Sequence, residues 1–116
     1  MKKTDLSYLL KMTDKNNELI MEIIEIFVTQ VEEIWNEMQD YYNKGDYNSL
    51  GMIAHKAKTS VSIMGMNSLS KKLKDLELFC RDNKNQELYQ DIINEFKTDC
   101  LQAIEELKDY KQNHLM

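Results

Sequence analysis

Apolar residues return at every third or fourth position over most of this chain, which is the period of one face of an α-helix. The longest such run extends from about Asn17 to Asn43 and ends just before Gly45, a residue suited to a left-handed turn. Roughly 27 helical residues at 1.5 Å each predict a rod of about 40 Å. Its apolar positions are Ile20, Ile23, Ile24, Phe27, Val31, Ile34, Met38 and Tyr41.

Three further segments have the same period and predict three more long helices. They run from about Tyr47 to Met64, from a cap at Asn67 or Ser68 to about Asp82, and from about Gln86 to Gln112. Their apolar positions are Leu50, Ile53, Ala54, Ala57, Val61 and Met64, then Leu69, Leu73, Leu76 and Cys80, then Leu88, Ile92, Phe96, Cys100, Ile104 and Leu107. A short helix over about Thr4 to Met12 is predicted to precede them.

Short connections between long helices require neighbouring helices to run antiparallel. We therefore predict an all-α protein, an antiparallel up-down four-helix bundle with a short extra N-terminal helix, in a single domain over residues 1–116. The chain has no proline and only 3 glycines, and the turns of β folds need both residues. All-β folds are thereby close to excluded, and a parallel α/β sheet is disfavoured.

Charge and targeting signals narrow the function classes further. The formal net charge is −5, and no basic cluster with interleaved aromatic residues occurs, which argues against nucleic-acid binding. No apolar run approaches about 18 residues and no signal peptide is evident, so no membrane association is predicted and a cytoplasmic location is expected. Cys80 and Cys100 lie in apolar stripes and are expected to be reduced core thiols. The start at Met1 favours a free-standing protein.

The predicted third helix carries an unusual outward face. At about 100° per residue, His55 falls roughly 160° from the core direction that Ala57 defines. Small or soft residues share that outward half, where charged residues are normal in a soluble helix. These residues are Met52, Thr59, Ser62 and Met66, with Lys58 at the edge. This composition is typical of a docking surface.

Glu77 interrupts the apolar stripe of the predicted fourth helix, where a carboxylate needs a partner. His55 lies 11 residues before Met66 and Glu77 lies 11 residues after it. A hairpin folded about Met66 would place the two side chains at one height. We therefore predict that Glu77 orients the imidazole of His55 and determines which ring nitrogen stays free.

These residues together suit a carrier of phosphoryl groups. An exposed imidazole is a nucleophile in its neutral form, which is well populated near neutral pH. Lys58, one turn after His55, favours neutral imidazole and attracts a phosphoryl group.

The chain here resembles the histidine-containing phosphotransfer family of bacterial multistep phosphorelays. The matching residues are Ala54-His55-Lys56-Ala57-Lys58, Gly65, Leu69, Leu73 and Leu76-Glu77, with Gly45-Asp46 and Leu50 upstream. The resemblance implies that His55 accepts a phosphoryl group on its outer ring nitrogen from a receiver-domain aspartate and passes it to another receiver domain. Lys58 would steady the phosphate. The implied partners are response-regulator receiver domains and a hybrid sensor histidine kinase.

We predict that the chain is a monomer. The resemblance also implies that it is not an enzyme and has no metal or cofactor of its own, with magnesium on the receiver only. Thr59 stands where the family usually has glycine, and we interpret it as a change in partner preference. Docking is expected to involve Met52, Lys56, Thr59, Ser62, Gly65 and Met66. The alternative is a non-catalytic helical-bundle interaction module that binds a signalling partner through the same surface without phosphorylation.

Overall fold

The computed structural model describes residues 2–114, and within this range the chain is helical and contains no β-strand. The predicted all-α class is therefore confirmed. The helices are α1 (Ser7–Met12), α2 (Asn17–Asn43), α3 (Tyr47–Ile63), α4 (Asn67–Asp82) and α5 (Tyr89–His114), with a short 3-10 helix (Gln86–Leu88) directly before α5.

The bounds of α2 and the turn that follows it agree with the prediction. Gly45 has a φ of +72°, and the side chain of Asp46 accepts a hydrogen bond from the backbone N–H of Ser49 at the start of α3. The predicted cap of α4 is wrong, because Met66 is the capping residue and no side chain caps this helix. Backbone groups hold the turn instead, since the Met66 N–H donates to Val61 and the Met66 carbonyl accepts from Ser70.

The start of the last helix also differs from the prediction. Leu88, predicted to lie in the apolar stripe, is exposed, and Tyr89 is fully buried. Asn85 adopts a left-handed conformation and the 3-10 turn follows it, so the helical phase is reset before α5 begins. The hydroxyl of Tyr89 donates a hydrogen bond of 2.8 Å to the carbonyl of Lys84 and so ties this turn to the core.

The long helices pack around one apolar core. α3 packs against α2 and α4, and α5 packs against α2 and α4. Within α3, a Cβ added at Gly51 would lie 3.0 Å from the Cβ of Cys80 and 3.5 Å from the carbonyl oxygen of Glu77. The absence of a side chain at Gly51 thus allows α4 to approach α3 closely at the height of Glu77.

A segment before α1 ties the N-terminus to the rest of the molecule, and we call Lys3, Thr4 and Asp5 the N-terminal strap. The backbone N–H groups of Lys3 and Thr4 donate to the carboxylate of Glu106 on α5 at 2.7 and 3.0 Å. The N–H of Asp5 donates to the carbonyl of Met64 at the end of α3. The strap therefore links the first helix to α5 and to the α3–α4 turn.

Both cysteines are buried free thiols, as predicted. Burial raises the pKa of Cys80 to about 11 and that of Cys100 to about 12, so neither is a reactive thiolate near neutral pH. Among residues 2–114, none of the helices combines the length and the hydropathy that a membrane span requires.

Candidate phosphoryl-acceptor site

His55 lies in the middle of α3 and points into solvent. Its side chain is 60% exposed, whereas Ala54 and Ala57 are fully buried. The predicted outward orientation is therefore confirmed. The backbone of the residue is fixed by core packing while its ring stays accessible.

The ring is held from α4 by Glu77. The Nδ1 atom of His55 lies 3.1 Å from both carboxylate oxygens of Glu77. The predicted equal height of the two side chains is confirmed, and the close approach of the helices at Gly51 makes it possible.

The ionisation of Glu77 determines the tautomer of the imidazole. Partial burial opposes ionisation of this carboxyl, but the hydrogen bond and charge of His55 and the charge of Lys58 outweigh it and lower the pKa. Because an ionised carboxylate only accepts hydrogen bonds, Nδ1 carries the hydrogen. The lone pair of the neutral ring is then on Nε2, the outer nitrogen.

Two cations share the same carboxylate. The Nζ atom of Lys58 lies 3.6 Å from one oxygen of Glu77, and a guanidinium nitrogen of Arg81 lies 3.9 Å from the other. Arg81 was not among the predicted site residues, although its spacing of four residues from Glu77 on a helix is visible in the sequence. Glu77 thus joins the nucleophile and two cations in one cluster.

The surface around the ring is open, and a cleft beside it runs between α3 and α4. Its lining residues are Asn48, Gly51, Met52, His55, Glu77 and Arg81. Met52 is 69% exposed, and Lys56, Thr59 and Ser62 are also exposed. These four predicted docking residues are therefore accessible to a partner.

The hydroxyl groups near the ring are engaged with the protein backbone. Thr59 donates to the carbonyl of His55 at 3.4 Å, and Ser62 donates to the carbonyl of Lys58 at 2.7 Å. Ser62 also lies 2.7 Å from the hydroxyl of Ser70 on α4. The side chains of Thr59 and Ser62 are small and uncharged, so they leave the surface beside His55 low.

A model of the Hpt domain family matches residues 22–110, which include all of α3 and α4. The chain belongs to the Hpt domain family. Members of this family carry phosphoryl groups on histidine in phosphorelays, where they interact with receiver domains. No curated protein and no solved structure matched the sequence significantly.

Two predicted contact residues of this Hpt domain have other positions in the structure. Met66 is 3% exposed, so its predicted place in the docking surface is wrong. The helical wheel fails there because α3 ends at Ile63 and the chain turns before Met66. Gly65 has a φ of +71° and packs against the carbonyl of Asp5, so its backbone forms the turn and seats the N-terminal strap.

The Hpt domain contains no group of three or more potential metal ligands among residues 2–114. His114, the second histidine of the chain, stacks on the ring of Tyr110 at the end of α5. It has no carboxylate partner like that of His55 among the described contacts.

Proposed function

We propose that this Hpt domain is a phosphorelay carrier that accepts a phosphoryl group on His55 from a receiver-domain aspartate and passes it to another receiver domain. The observation that carries the proposal is the exposed ring of His55, whose Nδ1 is held by Glu77 at 3.1 Å while Nε2 is free. A fixed ring with a free outer nitrogen is what in-line attack on phosphorus requires.

In the forward step, the Nε2 lone pair of His55 attacks the phosphorus of the aspartyl phosphate. A bond between nitrogen and phosphorus forms, the bond between phosphorus and the aspartate oxygen breaks, and a free carboxylate leaves. The phosphorylated ring is cationic while Nδ1 keeps its hydrogen, and Glu77 stabilises that charge through the existing contact. The return step to a second receiver reverses these bond changes.

Lys58 and Arg81 provide positive charge next to the carboxylate that holds the ring of His55. Both cations lie within 4 Å of Glu77 before transfer, at 3.6 and 3.9 Å. A phosphoryl group on Nε2 brings new negative charge to the same cluster, and Lys58 is placed to share it. We assign no catalytic machinery to this chain, because the receiver supplies the aspartate and the magnesium ion that neutralises the developing charge.

The proposed partners are the receiver domain of a hybrid sensor kinase and that of a response regulator, bound by a monomer. Docking would use the exposed surface of α3, with Met52, Lys56, Thr59 and Ser62 around His55. We also propose that the four long helices run up and down in antiparallel order. The connections at 44–46 and 64–66, which join helices packed against each other, support this order.

The first prediction is that His55 is the residue that acquires the phosphoryl group. A receiver domain phosphorylated in advance is mixed with the chain, and the product is analysed by intact mass and by stability of the modification. We expect a gain of one phosphoryl group that is labile in acid and stable in alkali. His55→Gln should abolish the gain, and His114→Gln, the matched control, should leave it unchanged.

Labelling of the His55→Gln protein would contradict the proposal. Binding of a receiver without any mass gain, and with unchanged affinity after His55→Ala, would identify the chain as an interaction module instead.

A further inference from the structure

The surface of α3 continues beyond the phosphoryl-acceptor site onto α1. Tyr8 on α1 lines a groove with Lys58, Thr59 and Ser62 of α3. Two of the predicted docking residues of α3, Thr59 and Ser62, therefore form part of this groove. α1 precedes residues 22–110, which the family model matches, so Tyr8 lies outside the matched region.

Tyr8 is exposed although its helix is firmly attached. The residue is 56% exposed, while the next residue, Leu9, is completely buried in the core. Thr13, directly after the helix, is buried too, and its hydroxyl donates to the carbonyl of Leu9. The N-terminal strap holds the other end of α1. An aromatic side chain on such a fixed element loses little conformational entropy when it is covered by a partner.

The position of Tyr8 brings it within reach of any protein that docks on His55. A standard interface covers about 800 Å² on each partner, equivalent to a disc with a radius of about 16 Å. Thr59 lies one helical turn, about 6 Å, beyond His55 along α3, and Tyr8 lies across the groove from it. Met52, which is also exposed, lies one turn before His55, on the opposite side from Thr59 along α3.

We propose that Tyr8 is a specificity-determining contact for the receiver domain that docks on His55, an inference that rests on the proposed function. Receivers share the chemistry at the aspartate but differ in the surface around it, so a contact outside the reacting atoms discriminates among them. Tyrosine suits this role because it combines a large apolar area with one hydroxyl and is enriched among binding hot spots.

The test measures phosphoryl transfer from a receiver domain that labels the wild-type chain, over a range of receiver concentrations. Tyr8→Ala should raise the half-saturating concentration about tenfold and leave the limiting rate within about twofold. Tyr8→Lys should also raise the half-saturating concentration, and because lysine is a better helix former than tyrosine, this substitution preserves α1. Leu101→Ala removes a side chain of similar exposure, 52%, on α5 and should change neither quantity.

An unchanged half-saturating concentration in both Tyr8 variants would overturn the inference while leaving transfer through His55 intact. A fall in the limiting rate alone would overturn it too, because it would place Tyr8 in the geometry of the reacting group. A wild-type chain that no receiver of the source organism labels would contradict the proposed function itself.

Discussion

At the scale of single residues, Glu77 is the centre of the site. Its two oxygens hold Nδ1 of His55, and Lys58 and Arg81 lie within 4 Å of them. Burial raises the pKa of this carboxyl, and the contacts with His55 and Lys58 outweigh burial and lower the pKa below its usual value. Glu77 therefore determines which nitrogen of the imidazole carries the hydrogen, and His55 in turn favours the ionised form of Glu77.

This mutual dependence predicts the effect of removing the ring. In His55→Ala the burial of Glu77 remains while its largest stabilising contact is lost, so the pKa of the Glu77 carboxyl should rise. Titration of the side-chain carboxyl carbons by NMR measures this directly. Asp46, whose pKa is lowered by hydrogen bonds from Ser49 at the start of α3, provides an internal control whose pKa should not change. A Glu77 titration identical to that of the wild type would contradict the arrangement.

The pair of His55 and Glu77 could be predicted because both lie inside regular helices, where 100° per residue and a symmetric hairpin fix their positions. Met66 could not be placed in this way. Met66 lies past the end of α3, where the helical period no longer applies, and the turn directs its side chain into the core. The place of Arg81 in the site does not follow from the apolar pattern, because it depends on the position of Glu77.

At the scale of elements, the two turns at Gly45 and Gly65 look alike in backbone conformation and differ in surroundings. Their φ angles are +72° and +71°. A Cβ at Gly45 would meet nothing within 4 Å, whereas a Cβ at Gly65 would lie 2.0 Å from the carbonyl oxygen of Asp5. Gly45 is thus needed for conformation alone, and Gly65 is also needed for the contact with the N-terminal strap.

The matched pair Gly45→Ala and Gly65→Ala separates these two requirements. Both should lose about 1 kcal/mol of unfolding free energy from the left-handed conformation. Gly65→Ala should lose at least about 1 kcal/mol more, because the strap must move and its hydrogen bond to Met64 is broken. Urea denaturation gives the free energies, and hydrogen exchange of the Asp5 amide reports the displacement. Equal losses with a protected Asp5 amide would show that the strap does not pack on Gly65.

The elements themselves were largely predictable, and the exception is instructive. The stripes of α3 and α4 are buried as predicted, and that of α2 is buried except for Ile23 and Tyr41, which are partly buried, because each helix keeps one phase from end to end. The pattern before α5 mixes two phases, since Leu88 belongs to a 3-10 turn and Tyr89 to the helix. A left-handed residue such as Asn85 leaves no periodic signal in the sequence.

At the scale of the whole molecule, charge is unevenly distributed. α2 contains seven acidic residues and no lysine or arginine. α3 and α4 carry six basic residues, which are Lys56, Lys58, Lys71, Lys72, Lys74 and Arg81, against three acidic ones. Six of the 15 basic residues of a chain with net charge −5 thus lie on the two helices that carry the site, and this local excess of positive charge favours the approach of a negatively charged phosphoryl group.

The N-terminal strap is attached to α5 through Glu106. This carboxylate accepts from the N–H groups of Lys3 and Thr4 and from the Thr4 hydroxyl, and Lys3 also pairs with Asp99 at 3.4 Å. Burial opposes the ionisation of Glu106, but the hydrogen bonds from Lys3, Thr4 and Gln102 outweigh burial and lower the pKa of this carboxyl below its usual value. The link is therefore strongest while Glu106 is ionised.

Glu106→Ala should reduce the unfolding free energy by about 2 kcal/mol at neutral pH, because several hydrogen bonds to a charged acceptor are lost. Glu105→Ala, which removes an exposed neighbour, should change it by less than about 0.5 kcal/mol. Since the pKa of Glu106 is lower in the folded than in the unfolded state, its contribution is complete above the unfolded-state pKa and is lost as the pH falls through the folded-state value. The difference in unfolding free energy between wild type and Glu106→Ala, measured by urea denaturation, should therefore become smaller in acid. A difference that stays constant with pH would show that the ionised carboxylate does not hold the N-terminal strap.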